Sequence, residues 1–346
     1  MSHHPHDHHT PHAAALRGVV RRRFLGGMGA AAAVALVGCG ADDSADEAAA
    51  SVSPTEQPTP QPTVAPTEAP LPISAETTYE VAEPVTLAYG QASDRQYGEL
   101  TVPLGLPENI KVPVLMVLHG GSWQATSTLH YMRAMARNMA SYGIATWNVE
   151  YRGIGGGGGW PNTFVDVAAA MDFVPKLAEH IGRRIDRQRF FLTGHSAGGH
   201  LATWAASRHM RGSEQPGGRP VIRPAACVSY AGVYDLTFAQ RSGHRHMVNL
   251  MGGTPSQVPQ NYTLASPIHN IPQDVRFVCC HGTADSVVPI NQTYNYAAVG
   301  EQDGNPAETV ILLDTEHSAW ADSKTYAYAV GQQRLLETIT AVDVSA

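Results

Sequence analysis

Phe190-Phe191-Leu192-Thr193-Gly194-His195-Ser196-Ala197-Gly198-Gly199-His200 is the stretch that decides the fold. A β-prone apolar run ends at Gly194, Ser196 follows within two residues, and a small-residue helix pattern (Leu201, Ala202, Ala205, Ala206) begins at once. Strand, sharp turn and helix meet at a Gly-x-Ser-x-Gly corner. A serine there holds a strained backbone that only glycine neighbours accommodate, so its hydroxyl projects clear of the sheet. The five-residue pattern alone is common by chance; the flanking strand and helix give it weight.

Outward from that corner, strands and helices alternate. Segments 78–88 and 97–103 read as a strand pair, and 112–118 and 144–151 as buried strands. Between the latter two lies a helix with Met132, Met135, Ala136 and Met139 on one face. A second helix carries Phe164, Val167, Met171 and Val174, with Pro175 ending or kinking it. Further strands follow at 190–193, 225–230, 276–281 and 309–313. A final helix has Tyr328, Gln332, Leu335 and Ile339 on one face. Continuous apolar strands alternating with amphipathic helices predict an α/β fold, a mostly parallel sheet with helices on both faces. Residues 235–274, rich in Gly, Pro, His and Asn, interrupt the alternation around a short apolar stretch at 247–251. Leaving the carboxyl end of a strand, this segment is expected to form a small cap over the site.

A serine hydroxyl is a weak nucleophile without a base, and the base needs an orienting acid. Ligands of open parallel sheets bind at the carboxyl ends of the strands. Ser196, Asp285 and His317 each follow a predicted strand, in the chain order Ser, Asp, His. Asp235 is the rival acid. His195 and His200 flank the serine but are expected to point along the elbow and helix, away from its hydroxyl. His119-Gly120-Gly121-Ser122-Trp123 follows another strand, and its glycines leave backbone N–H groups open to an oxyanion. Donors are expected from Gly120, Gly121 or Ser122, together with Ala197. Trp123, Trp160 and His195 are the expected pocket walls. The glycine run at 155–159 lacks a phosphate-loop lysine, so no nucleotide cofactor is implied.

His-Gly-Gly-x-Trp at 119–123 together with Gly-His-Ser-Ala-Gly-Gly-His at 194–200 resembles the α/β-hydrolase subgroup of kynurenine formamidases and feruloyl-esterase-like carboxylesterases. The likeness extends through Trp147-Asn148-Val149-Glu150-Tyr151-Arg152, Trp160-Pro161, Ser266-Pro267 and His281-Gly282-Thr283-Ala284-Asp285, and covers roughly residues 95–340. It implies the α/β-hydrolase fold, with Ser196 as nucleophile, Asp285 as acid, His317 as base and 119–123 as the oxyanion loop. His317 departs from the subgroup, standing in Glu-His-Ser-Ala-Trp where such enzymes often have Gly-His-Phe.

The leader suggests an address. Arg21-Arg22-Arg23-Phe24-Leu25 precedes an apolar run too short to span a membrane, ending Leu36-Val37-Gly38-Cys39. The arginine pair resembles a twin-arginine export signal, and the end resembles a lipoprotein lipobox with Cys39 as the acylated residue. Residues 1–38 thus read as a signal peptide, 39–75 as a disordered Pro/Thr/acidic linker and 76–346 as the catalytic domain. The six histidines of the first twelve residues read as a solvated leader, not a ligand cage. Formal net charge is −7; losing residues 1–38, with four arginines against Asp7, takes it to −7 − 3 = −10. No basic patch remains for nucleic acid. Cys227, Cys279 and Cys280 lack metal-ligand spacing and read as small buried hydrophobes, so no metal is expected.

These readings converge on an exported serine hydrolase that cleaves small carboxylic esters through an acyl-enzyme, tethered by a lipid anchor after passing the export machinery. An arylformamidase using the same residues on an N-formyl amide is the alternative. A tethered, non-catalytic binding protein on a hydrolase scaffold is the second.

Overall fold

Ile110–Leu118 is apolar at eight of its nine positions and becomes the strand around which the sheet is laid. The computed structural model describes residues 69–71 and 73–342. The expectations for the histidine tract, the leader, Cys39 and most of the linker lie outside these described residues. In chain order the strands are β1 (Ala69–Pro70), β2 (Val85–Ala88), β3 (Tyr97–Thr101), β4 (Ile110–Leu118) and β5 (Ala145–Val149). They continue as β6 (Ile185–His195), β7 (Ala226–Tyr230), β8 (Arg276–Gly282) and β9 (Glu308–Leu312). The helices are α1 (Arg133–Ala140), α2 (Asn162–Asp172), α3 (Leu177–Ile181), α4 (Ala197–Ala206) and α5 (Leu236–Arg241). After them come α6 (Met247–Met251), α7 (Pro259–Ala265), α8 (Asn291–Gln302) and α9 (Tyr326–Thr340).

The strands pair in the order β2-β3-β5-β4-β6-β7-β8-β9. β2, β3 and β5 are antiparallel neighbours, and every later pairing is parallel. Pro113 has no N–H to give the ladder, and the β4–β6 register shifts between Val112 and Val114. β1 pairs with the start of β4 at Ile110 and Lys111. Leu71 is fully buried just after it, and its carbonyl accepts from Arg189. Among the described residues, β1 and Leu71 thus join the sheet and core ahead of residue 76, because one apolar side chain is buried there.

Two hydrophobic layers flank the sheet. On one face α1 and α9 bury Met132, Met135, Met139, Leu335 and Ile339 against Leu115, Val117 and Val228. On the other, α2, α4, α6 and α7 bury Phe164, Val167, Leu201, Trp204, Leu250 and Tyr262. Adjacent Cys279 and Cys280 fall in opposite layers, as the period of two in a strand requires. Both are free thiols, as is Cys227. α8 was not anticipated: its buried positions include Gln292, Thr293 and Gly300, which carry no apolar signal.

The 235–274 segment folds as α5, α6 and α7 plus a turn at Pro267–His269. Met247, Leu250 and Met251 are all fully buried in the core. The apolar stretch thus packs inward against the body of the domain.

Candidate active site

The carboxyl edge of the sheet gathers the chemistry. β6 ends at His195, α4 starts at Ala197, and Ser196 makes the corner at φ 57°, ψ −120°. A non-glycine residue there costs about 1–3 kcal/mol, supplied by the packing around it. A side chain at Gly198 would collide with the carbonyls of Leu118 and His119, so β4 and the elbow meet only through glycine. The Ser196 N–H donates to Tyr230 O at 2.8 Å, tying the corner to β7.

Ser196 and His317 line one cleft of about 280 Å³. Gly120, Gly121 and Ser122 form one side of it, from a turn with φ of 106° at Gly121 and 53° at Ser122. Ser127, Thr128 and Tyr131 continue that wall, and Val287 stands opposite with His317. Ala197 opens α4, where helix geometry leaves its N–H without an intrahelical acceptor. The turn's backbone and the start of α4 thus meet at one edge of the cleft.

His317 Nδ1 lies 2.7 Å from Asp285 Oδ2, and the carboxylate side chain is wholly buried. Oδ1 of Asp285 accepts from the N–H groups of Val287 (2.9 Å) and Val288 (2.8 Å). His281 Nε2 approaches Oδ2 at 3.1 Å and the Val288 carbonyl at 3.0 Å. Facing two acceptors, Nε2 carries the proton, and Nδ1 accepts from the Thr293 hydroxyl at 2.8 Å. Burial would raise the Asp285 pKa. Hydrogen bonds from His281 and His317, the His317 charge and the Val288 N–H outweigh it and hold the carboxyl well below the usual range. Thr283 and Ala284 N–H groups donate to the carbonyls of Leu312 and Thr315, clamping the acid's loop to the base's loop.

Asp235, the rival acid, is instead the N-cap of α5 and accepts from Phe238 N–H. His195 does line the cleft. Its Nε2 donates to the His317 carbonyl at 2.9 Å, so its Nδ1 accepts from the Tyr131 hydroxyl at 2.7 Å. Burial, then the neighbouring His317 charge, lowers its pKa to about 3, and the ring stays neutral.

Two expected pocket walls are corrected. Trp123 is fully buried and its indole N–H donates to His200 Nδ1 at 3.0 Å. The positive φ of 57° at Trp123 belongs to the turn that carries its ring away from the cleft. Trp160 packs on Phe164 and its N–H donates to the Leu250 carbonyl, so it joins the glycine run to α6 rather than facing substrate. Ala125 N–H donates to the Ile154 carbonyl and Ile154 N–H to the Trp123 carbonyl, bracing the turn at 120–123 against the chain before the glycine run. No residue of the 235–274 segment, expected as a cap, lines the Ser196 cleft itself. Those helices bury their apolar residues in the core, and their polar ends reach a neighbouring cavity.

Glu150 was quoted only within a motif, yet it organises the turn. Its buried carboxylate accepts from His119 Nε2 (3.0 Å), Arg95 (2.9 Å) and the N–H groups of Tyr151 (2.9 Å) and Leu129 (3.1 Å). Burial would raise its pKa, but the His119 bond and charge, the Tyr151 N–H and Arg95 reverse the direction. His119 also stacks on Tyr151 with centroids 4.2 Å apart, and the Tyr151 hydroxyl donates to the His119 carbonyl.

Residues 103–298 match the BD-FAE family. The chain is 31% identical over 191 residues to the probable carboxylic ester hydrolase LipM of Mycobacterium tuberculosis, covering 53% of this chain and 44% of that one. Esterase LipQ of the same organism is 28% identical over 217 residues, covering 61% and 51%. The chain spans about half the length of these relatives. The thermophilic esterase Est2 of Thermogutta terrifontis superimposes with a TM-score of 0.61 at 20% identity, covering 73% of this chain and 90% of that one. The fold is that of the α/β-hydrolases, as the elbow and strand order imply. The family match takes in the glycine turn, Ser196 and Asp285, and on more than half of its length the chain belongs to the BD-FAE family.

Proposed function

We propose that the protein is a serine hydrolase that cleaves carboxylic esters through an acyl-enzyme on Ser196. The observation that carries this reading is the Asp285–His317 pair, at 2.7 Å, opening onto the same cleft as Ser196 and the glycine turn. Asp285 takes His317 Nδ1, which leaves Nε2 to receive the serine proton. The serine oxygen adds to the ester carbonyl, and backbone N–H groups of Gly121, Ser122 and Ala197 receive the oxyanion. His317 then returns the proton to the leaving alcohol, and water activated by the same nitrogen releases the acid. Family membership and relatives named as ester hydrolases support an ester substrate over other acyl compounds.

The leader supports a location outside the cytoplasm, with Cys39 acylated and the catalytic domain tethered to the membrane face. Several acyl chains suffice for stable anchoring at about 0.8 kcal/mol per buried CH₂.

The test pairs Ser196→Ala with fluorophosphonate labelling and hydrolysis of p-nitrophenyl acetate. Labelling at Ser196 and a loss on the order of 10⁶ in turnover are expected. An unlabelled wild type, or a variant that keeps most of its hydrolysis, would end the proposal.

A further inference from the structure

Beyond Val287 lies a second cavity of about 220 Å³, and Val287 lines both it and the Ser196 cleft. Its walls come from four places in the chain, with Val233 after β7 and Gln292 of α8 beside two loops. Ala239, Ser242, Gly243 and His244 belong to the end of α5 and the turn after it, while Val288 and Pro289 follow Asp285.

An ester reacting at Ser196 has two halves to place. The leaving oxygen must take its proton from His317, so the alcohol half lies along the cleft that His317 lines with Tyr131 and Ser127. The acyl half stays on Ser196 and must extend elsewhere. The cavity past Val287 touches neither Ser196 nor His317, which suits the distal part of an acyl group. An apolar cavity of roughly 150 Å³ accepts benzene, so this one fits a short chain or a single ring.

Its polar side chains are Ser242, His244, Ser286 and Gln292; the two serines are exposed to solvent, so the inner polar groups are His244 and Gln292. Gln292 is fully engaged: Oε1 accepts from the N–H groups of Tyr234 and Asp235 at 2.8 Å, and Nε2 donates to the Asp235 carbonyl at 2.9 Å. His244 is different, because its Nδ1 is buried with no hydrogen-bond partner among the described residues. Its ring is held edge-on to Trp123 at 5.7 Å and to His246 at 5.9 Å. Burial, with the charges of His246, His317 and Arg245, lowers its pKa, so the imidazole is neutral and offers one donor and one acceptor. A buried polar atom left without a partner is costly, and a substrate group that meets it removes that cost.

We propose that this cavity is the acyl subsite and that His244 selects compact acyl groups carrying a hydroxyl or carbonyl substituent. The inference rests on the ester-hydrolase reading of Ser196.

The experiment measures kcat/KM by pH-stat on methyl 3-hydroxybutyrate and methyl 4-hydroxybenzoate against methyl butyrate and methyl benzoate. Propyl and 3-hydroxypropyl acetate form the alcohol-side control. The wild type is expected to favour at least one hydroxylated acyl group over its unsubstituted counterpart by about tenfold. His244→Leu is expected to bring that ratio to about one, and His244→Gln, which keeps a hydrogen-bonding group, to restore part of it. A ratio that survives in His244→Leu, a wild type with no preference, or a change that follows the alcohol series would overturn the subsite. A wild type that hydrolyses none of the esters would overturn the reading of Ser196 instead.

Discussion

Two buried carboxylates hold the two sides of the cleft, and they draw on the chain differently. Asp285 takes three of its four donors from within four residues: the N–H groups of Val287 and Val288 and the ring of His281. Only His317 comes from afar. Glu150 takes only the Tyr151 N–H locally, and its other donors, Leu129, His119 and Arg95, lie 21, 31 and 55 residues away. The acid–base side is thus a local loop that grips one distant side chain. The glycine-turn side is a junction of four segments around one charge. A local loop can keep its shape when the reaction demands precision, whereas a junction depends on every member being present.

The largest effect tests the local side. Asp285→Asn keeps the loop's shape but removes the charge beside His317 Nδ1, which on the proposed mechanism orients the ring and stabilises its protonated form. Turnover of p-nitrophenyl acetate is expected to fall by about 10⁴ with little change in KM. Retained activity would mean that another acid serves His317.

Glu150→Gln tests the junction. The amide can still accept, but it gives up the charge that meets both His119 and Arg95. If Glu150 sets the position of the turn at 119–122, kcat is expected to fall by about 10²-fold, since a displacement of an ångström at the oxyanion costs that much. Removing the carboxylate's charge from beside Arg95 is also expected to destabilise the fold. Thermal unfolding and kinetics on the same sample separate the two: lost stability with unchanged kcat would make Glu150 a support of the fold only.

The same contrast explains what the sequence made legible. Asp285 could be found because its partners sit beside it and its loop leaves a strand end. Ser196 could be found because strand, glycines and helix are contiguous. Glu150 and His281 could not, since a carboxylate or imidazole inside an apolar strand looks the same in sequence whatever it later meets. Trp123 and Trp160 were misplaced for a related reason. A tryptophan after a glycine turn can face either way, and the positive φ at Ser122 and Trp123 decides for the interior. α8 went unseen because only Tyr296 among its fully inward residues is an apolar anchor, the others being Gln292, Thr293 and Gly300, with Gln292 bonded to Tyr234 and Asp235. The mostly parallel sheet followed from the alternation, but the burial of Leu71 ahead of the first expected strand hung on one apolar side chain.

His195 joins the two sides, with Tyr131 from the glycine-turn wall on one ring nitrogen and the His317 carbonyl on the other. Protonating the ring would turn Nδ1 into a donor, so the Tyr131 hydroxyl would have to change from donor to acceptor, and the buried charge would gain no carboxylate partner. The ring's pKa is lowered to about 3 in the folded protein, against about 6.5 in the unfolded chain. Between those values the unfolded chain holds a proton that the folded one refuses, so its stability is present above pH 6.5 and is lost as pH falls. From pH 6.5 to pH 4 this group alone is expected to remove about 3 kcal/mol. His200, lowered to about 4 by burial between Trp123 and the Ala265 carbonyl, adds to the same trend. Urea unfolding of the wild type and His195→Gln across that range measures the share of the bridge. The glutamine has no proton to gain, so its stability should decline less steeply towards pH 4. Parallel curves would show that the acid sensitivity lies elsewhere and that the two sides of the cleft do not depend on a neutral His195.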